Sequence, residues 1–219
     1  DIRLEDLIRG VIVQSGNDAA IVIAEGLAGT EDAFAGRMNE TAARIGLTDS
    51  VFANATGLPD PLQRVTARDL AQLAAYIIRE FPDFYAMYSE REFTWNGITQ
   101  RNRNPLLGMD IGADGMKTGF TEESGYGLVA STVRDGRRLI AVINGADSES
   151  ERAAEARALL DWGYESFRML SLFAPGEVLA EAQVFGGTDA LVGLRIATAI
   201  PVLLPVEGAG TVTARVVYS

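Results

Sequence analysis

Gln14-Ser15-Gly16-Asn17-Asp18 and Gly115-Met116-Lys117-Thr118-Gly119 are the two stretches that decide which fold this 219-residue chain is predicted to adopt. The second stretch contains the only lysine, since the 19 basic residues are one lysine and otherwise arginines. Lysine differs from arginine because a suitable environment can lower its pKa until it releases its proton. A basic side chain that takes part in proton transfer here would therefore be Lys117.

The composition excludes several kinds of site. The chain has no histidine and no cysteine, so by itself it forms no Ser-His-Asp triad, thiol nucleophile, disulfide, or histidine- or thiolate-bound metal site. Its formal net charge is −11 and its arginines are scattered, so nucleic acid is not an expected partner. No apolar run approaches the roughly 18 residues of a membrane span. Acid–base chemistry is left to carboxylates, lysine, tyrosine and serine.

The N-terminal part of the chain is predicted to be helical. Apolar residues recur at helical spacing over residues 1–14, and Ser15-Gly16-Asn17 then reads as a tight turn between two helices. Asn17 or Asp18 is the expected cap of the second helix. Thr30 and Thr66 are each followed by acidic residues within one turn, which predicts the start of a third and a fourth helix.

The pattern then changes to strands. Asn96-Gly97 separates two short runs, 92–95 and 98–101, and this dipeptide is a strong signal for a β-hairpin. Two apolar runs, 126–133 and 138–144, flank a turn-like segment and predict a second hairpin. Helices followed by antiparallel hairpins indicate an α+β fold rather than alternating βαβ units.

A closing helix and a small β module complete the predicted order. Residues 149–170 have a helical pattern, and short Val, Leu and Ile runs with glycine-rich breaks follow. We therefore predict two domains, 1–170 and 171–219, of which the second is all-β and incomplete. Because a helix is already under way at residue 1 with no initiator methionine or signal segment before it, upstream residues are expected to be absent from this chain.

The triplets Ser15-Gly16-Asn17 and Lys117-Thr118-Gly119 are each common by themselves. Their combination resembles two of the three motifs of the active-site-serine penicilloyl transferases. The surrounding residues resemble the D-alanyl-D-alanine carboxypeptidases among the low-molecular-weight penicillin-binding proteins. The matching stretches are 7–10, 14–19, 31–34, 67–70, 92–98, 102–104, 115–119 with 125–126, and 159–163. The resemblance implies a penicillin-binding/transpeptidase, β-lactamase-like α+β fold, with a helical subdomain and an antiparallel sheet, and a small β module after it.

The resemblance also implies catalytic roles for Ser15, Asn17 and Lys117. Lys117 would lie on an edge strand with its ammonium facing the Ser15 hydroxyl, where it would favour an anionic substrate and help proton traffic to the leaving amine. Asn17 would donate its amide to the carbonyl of the substrate peptide. A solvated surface lysine and a helix-capping asparagine are the structural alternatives.

Five further residues are expected to bind substrate. Thr118, beside Gly119, would hydrogen-bond the terminal carboxylate, and the backbone N–H of Phe120 would form half of an oxyanion hole. Arg152 resembles the arginine that anchors the substrate carboxylate, and the alternative is a helix-surface arginine. Arg103 is expected either to support the site or to pair with a carboxylate such as that of Asp114.

The chain departs from the family pattern at two places. Several relatives carry histidine where this chain has Phe120, so any role of that histidine is absent. The family's Ser-x-x-Lys motif, which supplies the nucleophilic serine and the lysine that deprotonates it, is also missing, because Asp114 stands three residues before Lys117. The missing N-terminal segment of the same protein is therefore an expected partner.

The resemblance implies an enzyme that removes the terminal D-Ala of peptidoglycan pentapeptide through a serine acyl-enzyme and that binds β-lactams. It implies no cofactor or metal, a periplasmic or extracytoplasmic location, and leaves membrane anchoring through absent parts open. A serine β-lactamase is one alternative, which fast penicillin hydrolysis would favour. A non-catalytic peptidoglycan-binding relative is the other, which an upstream segment without serine and lysine would favour.

Overall fold

The computed structural model describes residues 2–208, 212–213, 215 and 217. The chain divides into two compact units, Asp1–Leu160 and Asp161–Ser219. Among the described residues, no helix combines the length and the apolar character that crossing a membrane would require.

Helices make up most of the chain before residue 90. They are α1 (Leu4–Arg9), a π-helical turn (Gly10–Gln14), α2 (Asn17–Ala28), α3 (Glu31–Arg44), α4 (Ala67–Glu80), α5 (Pro82–Tyr85) and a 3-10 turn (Ala86–Ser89). The Thr30 hydroxyl accepts a hydrogen bond from the N–H of Ala33, and the Thr66 hydroxyl accepts one from Asp69. Both threonines therefore cap their helices as predicted.

The predicted cap of α2 is wrong. The N-cap is Gly16, in an extended conformation, and Asn17 is already the first helical residue. The side chain of Asp18 accepts a hydrogen bond from the N–H of Ala19 inside the first turn. The difference arises because the preceding π-helical turn ends at Gln14, which leaves two residues, Ser15 and Gly16, for the reversal of the chain.

The strands of the first unit form two antiparallel sheets. The predicted hairpin consists of β1 (Glu92–Trp95) and β2 (Ile98–Arg101), and both turn residues, Asn96 and Gly97, have positive φ. A three-stranded sheet follows in the order β3 (Ala113–Thr121), β4 (Gly125–Arg134), β5 (Arg137–Ala146). The hairpin predicted from the runs after residue 125 is β4–β5, and β3 lies at the edge of this sheet as described.

Two apolar clusters fix the sheet against the helices. One contains Leu106, Leu128 and Leu160, which joins α6 (Glu149–Ser166) to β4. The other contains Ala74, Tyr85 and Met116, which joins α4 and α5 to β3. The burial of these side chains, at about 25 cal/mol per Å² of apolar surface, holds β3 and the first half of α6 in place.

The second unit contains two pairs of strands. The strand β6 (Phe167–Ser171) pairs with β9 (Pro201–Pro205), and β7 (Val178–Gln183) pairs with β8 (Leu191–Arg195), both antiparallel. Helix α6 ends at Ser166, four residues before the predicted end at 170. The helical pattern did not predict this end, because the conformation of residues 167–171 is set by pairing with a segment 30 to 38 residues away.

Candidate active site

The Ser15 hydroxyl is presented by a strained turn. Ser15 follows the π-helical turn and has φ 59° and ψ 42°, the left-handed region in which a residue with a side chain costs roughly 1–2 kcal/mol. The N–H of Gly16 donates to the carbonyl of Gly10 at 3.0 Å, which closes the turn. Strained residues and π-helical turns are both found often at functional sites.

Lys117 reaches this hydroxyl from β3, as predicted. Its Nζ atom donates to Ser15 Oγ at 2.7 Å and to the carbonyl oxygen of Thr118 at 2.9 Å, although Ser15 and Lys117 are 102 residues apart in the sequence. The lysine is therefore not a freely solvated surface residue. The contact joins the turn before α2 to the edge of the three-stranded sheet.

The surroundings of Lys117 make it an unusually acidic lysine. Burial, together with the positive charges of Arg103 and Arg152, lowers the pKa of its ammonium to about 8. Proton transfer is most efficient when the pKa of the group lies near the working pH. An ammonium with this pKa exchanges its proton more readily near neutral pH than an ordinary lysine does, which suits a role in proton transfer.

This shift predicts a pH-dependent stability. At pH values between about 8 and 10.5 the unfolded chain holds a lysine proton that the folded chain has released, so Lys117 makes stability rise with pH in that window. In a comparison of wild type with Lys117→Met, the wild-type free energy of unfolding should gain about 2–3 kcal/mol relative to the variant from about pH 7 to pH 10.5. Urea unfolding measures both proteins, and parallel pH curves would contradict the shift.

The predicted site residues line one cleft of about 490 Å³ in the first unit. All eight are part of its lining: Ser15, Asn17, Arg103, Lys117, Thr118, Gly119, Phe120 and Arg152. The sequence reasoning missed other lining residues, including Asn144, Glu149 and the loop at residues 55–58. Nothing in the local pattern of that loop distinguishes it from an ordinary surface turn.

Arg152 is placed where an anion could bind. Its side chain lies on the first turns of α6 and is only 4% exposed, which excludes the alternative of a helix-surface arginine. Its guanidinium lies over the ring of Tyr126, with the Cζ atom 5.5 Å from the ring centroid. Among the described residues no acceptor is hydrogen-bonded to its Nε atom, and burial lowers the pKa of the guanidinium. A buried donor without an acceptor is costly unless a ligand satisfies it.

Of the two alternatives for Arg103, the pairing with Asp114 is wrong. Asp114 forms an ion pair with Arg138 at 2.7 Å and accepts a hydrogen bond from Tyr85 at 2.7 Å. Arg103 is exposed and lines the cleft, close enough for its charge to lower the pKa of Lys117. The pairing is not formed because Arg138 of β5 and Tyr85 already bind the carboxylate of Asp114.

Thr118 and Phe120 differ in their exposure. Thr118 is 9% exposed, whereas the ring of Phe120 is 55% exposed and lies 4.3 Å from that of Tyr126. Tyr126 thus contacts both Phe120 and Arg152. Its ring therefore connects the strand that carries Lys117 to the helix that carries Arg152.

Comparison with known proteins identifies relatives over most of the chain. Residues 1–148 match the D-alanyl-D-alanine carboxypeptidase family of peptidases. The chain is 44% identical over 187 residues to the D-alanyl-D-alanine carboxypeptidase DacD of Escherichia coli, which covers 85% of this chain and 48% of that protein. It is 30% identical over 207 residues to DacF of Bacillus subtilis, covering 93% and 53%.

Solved structures show the same fold. Penicillin-binding protein 5 of Haemophilus influenzae superposes with a TM-score of 0.83 at 40% identity, covering 92% of this chain and 59% of that one. Penicillin-binding protein D2 of Listeria monocytogenes, in its ampicillin-bound form, gives a TM-score of 0.68 at 30% identity, covering 74% and 67%. The predicted α+β penicillin-binding fold is confirmed.

The family match, the relatives and the solved structures all indicate the same family, and each covers most of the chain. The chain spans about half the length of these curated relatives. The family match covers 148 of its 219 residues and includes both the Ser15 turn and the strand of Lys117. The chain belongs to the D-alanyl-D-alanine carboxypeptidase family of serine peptidases.

Proposed function

We propose that the protein containing this chain removes the C-terminal D-Ala from peptidoglycan stem peptides through a serine acyl-enzyme. The observation that supports this most directly is the 2.7 Å contact between Lys117 Nζ and Ser15 Oγ, in a cleft that also holds the buried Arg152. A cation whose N–H has no acceptor among the described residues suits a free carboxylate. A free carboxylate next to the cleaved bond is what distinguishes the substrate of a carboxypeptidase from that of an endopeptidase.

The proposed reaction divides the work among the cleft residues. Arg152 and the Thr118 hydroxyl hold the terminal carboxylate, and the Asn17 amide donates to a peptide carbonyl. The nucleophilic hydroxyl gives its proton to its partner lysine as its oxygen adds to the carbonyl carbon of the D-Ala–D-Ala bond, while the N–H of Phe120 binds the oxyanion. The C–N bond then breaks, and the proton passes from that lysine to the departing amine through Ser15, which is hydrogen-bonded to Lys117. Water finally hydrolyses the acyl ester and regenerates the hydroxyl.

The nucleophile in this scheme comes from outside the 219 residues. The single lysine is Lys117, so the chain contains no Ser-x-x-Lys sequence. We propose that an upstream segment of the same protein supplies that serine and its lysine, and that it completes the wall of the cleft opposite β3. Ser15 and Lys117 then act on the proton rather than on the carbonyl carbon.

The same cleft is proposed to bind β-lactams as substrate mimics. The ampicillin-bound Listeria relative supports this, because the two folds superpose. A β-lactamase would need a carboxylate beside the acyl ester, and the described lining of the cleft contains one carboxylate, Glu149. The negative charge of Glu149 favours the charged form of Arg152. We therefore assign Glu149 to the orientation of the substrate rather than to the hydrolysis of the ester. Because its substrate lies in the cell wall, the protein is proposed to act on the extracytoplasmic side of the membrane.

D-Alanine release tests the proposal. The protein including the Ser-x-x-Lys segment is incubated with a peptide ending in D-Ala-D-Ala, and free D-alanine is measured against the same peptide ending in L-Ala. Release from the first peptide alone is expected. Rapid, repeated penicillin hydrolysis without D-alanine release would favour the β-lactamase, and neither activity would favour the non-catalytic relative.

Arg152→Ala should weaken transition-state binding of the D-Ala-D-Ala peptide by about 1.5–3 kcal/mol, since a charge-assisted hydrogen bond is lost. Measured as kcat/KM, the loss should be much smaller for the peptide with an amidated C-terminus, which offers no carboxylate. Arg157→Ala is the matched control, because Arg157 is an exposed arginine on the same helix. Equal losses on both peptides would show that Arg152 does not bind the substrate carboxylate.

A further inference from the structure

A cluster of polar side chains at the beginning of β3 takes no part in the proposed chemistry. Tyr85 Oη donates to Asp114 Oδ1 at 2.7 Å, and Arg138 Nη2 lies 2.7 Å from Asp114 Oδ2. Arg138 Nη1 also donates to Asp114 Oδ1 at 2.8 Å and to Ser131 Oγ. Tyr85, Asp114, Ser131 and Arg138 are called the Asp114 cluster below.

The Asp114 cluster connects four elements of the fold. Tyr85 is the last residue of α5, Asp114 lies on β3, Ser131 on β4 and Arg138 on β5. Tyr85 is 7% exposed, and the Arg138 guanidinium lies over its ring, 5.3 Å from the centroid. Burial raises the pKa of the Tyr85 hydroxyl, so this group remains a hydrogen-bond donor at every working pH. A carboxylate held by a bidentate arginine and a buried tyrosine has little freedom to move.

The Asp114 cluster coincides with an irregularity of the sheet. Ala113 pairs with Thr132 and Gly115 with Ser131, so β3 contains one residue more than β4 at this point, and Asp114 is that residue. Such a β-bulge re-aims the side chains that follow it. From Gly115 to Thr121 the pairing with β4 is one to one, and this stretch includes Lys117.

The ring of Tyr85 also fits closely against β3. A Cβ atom at position 115 would lie 2.7 Å from Tyr85 Oη and 3.2 Å from two ring carbons, so a side chain there would push the strand and the tyrosine apart. Gly115 therefore allows the strand to approach Tyr85 directly. Two adjacent residues at the bulge are therefore restrained, Gly115 by contact with the Tyr85 ring and Asp114 by its hydrogen bonds.

Ser15 and Lys117 lie on separate elements, so their contact depends on where β3 is held. Within its sheet, as described, β3 is hydrogen-bonded to β4 along one edge only. We infer that the Asp114 cluster is a positioning device, which fixes the bulge at the beginning of β3 and thereby holds Lys117 against Ser15. This inference rests on the proposed role of the Lys117–Ser15 pair, but it can be tested without any turnover of substrate.

The Lys117 side chain provides the measurement. The protein that includes the Ser-x-x-Lys segment is labelled with ¹³C-lysine, and the Lys117 signal is the one that Lys117→Arg removes, since residues 1–219 contain no other lysine. Its titration by NMR reports how far the ammonium is buried. The wild-type midpoint is expected at about 8. In Tyr85→Phe and Asp114→Asn the strand should relax and expose Lys117 to water, so the midpoint should rise by roughly one pH unit towards the value of a solvated lysine.

The sign of the shift distinguishes positioning from direct charge effects. Removal of a nearby carboxylate by itself disfavours the ammonium and lowers a lysine pKa, so a purely electrostatic role of Asp114 predicts a fall in Asp114→Asn. Tyr85→Phe changes no charge, and it decides the question if Asp114→Asn does not fold. An unchanged or lowered midpoint in Tyr85→Phe would overturn the inference.

Tyr88→Phe is the matched control. Tyr88 stacks on Tyr85, with ring centroids 5.7 Å apart, but lies outside the Asp114 cluster. Its substitution should leave the Lys117 midpoint unchanged, and a rise equal to that of Tyr85→Phe would also overturn the inference. A protein that shows the expected midpoints yet releases no D-alanine would refute the proposed function while the positioning role of the Asp114 cluster remained supported.

Discussion

Lys117→Arg is expected to reduce acylation by a fluorescent penicillin, and D-alanine release, by about 10²- to 10³-fold in the protein that includes the Ser-x-x-Lys segment. The substitution keeps the positive charge. It replaces a compact ammonium, 2.7 Å from Ser15 Oγ, with a planar guanidinium that is larger and does not give up its proton. Both the fit beside Ser15 and the proton transfer should be lost together.

The control for Lys117→Arg is the reverse exchange at a surface position. Arg79→Lys alters an exposed arginine on α4 whose ion pair with Glu80 is also exposed, so it should leave acylation unchanged. The second-order rate constant for acylation is measured for both variants after circular dichroism has confirmed their fold. If Lys117→Arg acylated as fast as wild type, a positive charge would suffice at this position and proton transfer through the lysine would be ruled out.

The three cations of the cleft repel one another, and this repulsion affects Lys117 in particular. Lys117, Arg103 and Arg152 converge in a chain whose net charge is −11, so the cleft is a local positive site on an acidic protein. Such a field attracts anions, which suits the free carboxylate of the proposed substrate. The two arginines stay charged, and their repulsion contributes to the low pKa of Lys117. The residues that would bind the anion thereby also prepare the lysine for proton transfer.

Local signals predicted much of the fold. Asn96-Gly97 gave the first hairpin because its residues accept positive φ, and the threonines at positions 30 and 66 gave helix starts because their hydroxyls satisfy free N–H groups. These features depend on residues within a few positions of one another. The end of α6 was not predicted by such local signals, since β6 forms only by pairing with β9.

The site was predictable to a different degree. No local rule brings Ser15 to Lys117 over 102 residues, and the match of both motifs to one family made that prediction possible. The burial of Arg152 was anticipated only through the same resemblance, because Glu151 and Glu155 lie close to it in the sequence and suggest a helix surface. The partner of Asp114 was missed, since Arg138 reaches it across the sheet from β5.

The 219-residue chain by itself is expected to form no covalent adduct with penicillin. Acylation needs a deprotonated hydroxyl placed about 3 Å from the carbonyl carbon, and a displacement of one ångström costs about 10²-fold or more in rate. The chain offers Ser15 with Lys117 beside it, but in the proposed reaction the cleft orients a carbonyl towards the upstream serine. Incubation with a fluorescent penicillin, followed by denaturing electrophoresis, should therefore give no labelled band above that of the heat-denatured chain.

Addition of the upstream segment as a separate polypeptide is expected to restore labelling, with the label on the added segment. The same segment with its Ser-x-x-Lys serine changed to alanine is the matched control and should restore none. Stoichiometric labelling of residues 1–219 alone would instead place the nucleophile within this chain. Ser15→Ala would then decide whether that nucleophile is Ser15, whose hydroxyl already receives a hydrogen bond from the lysine and would need only to lose its proton to attack.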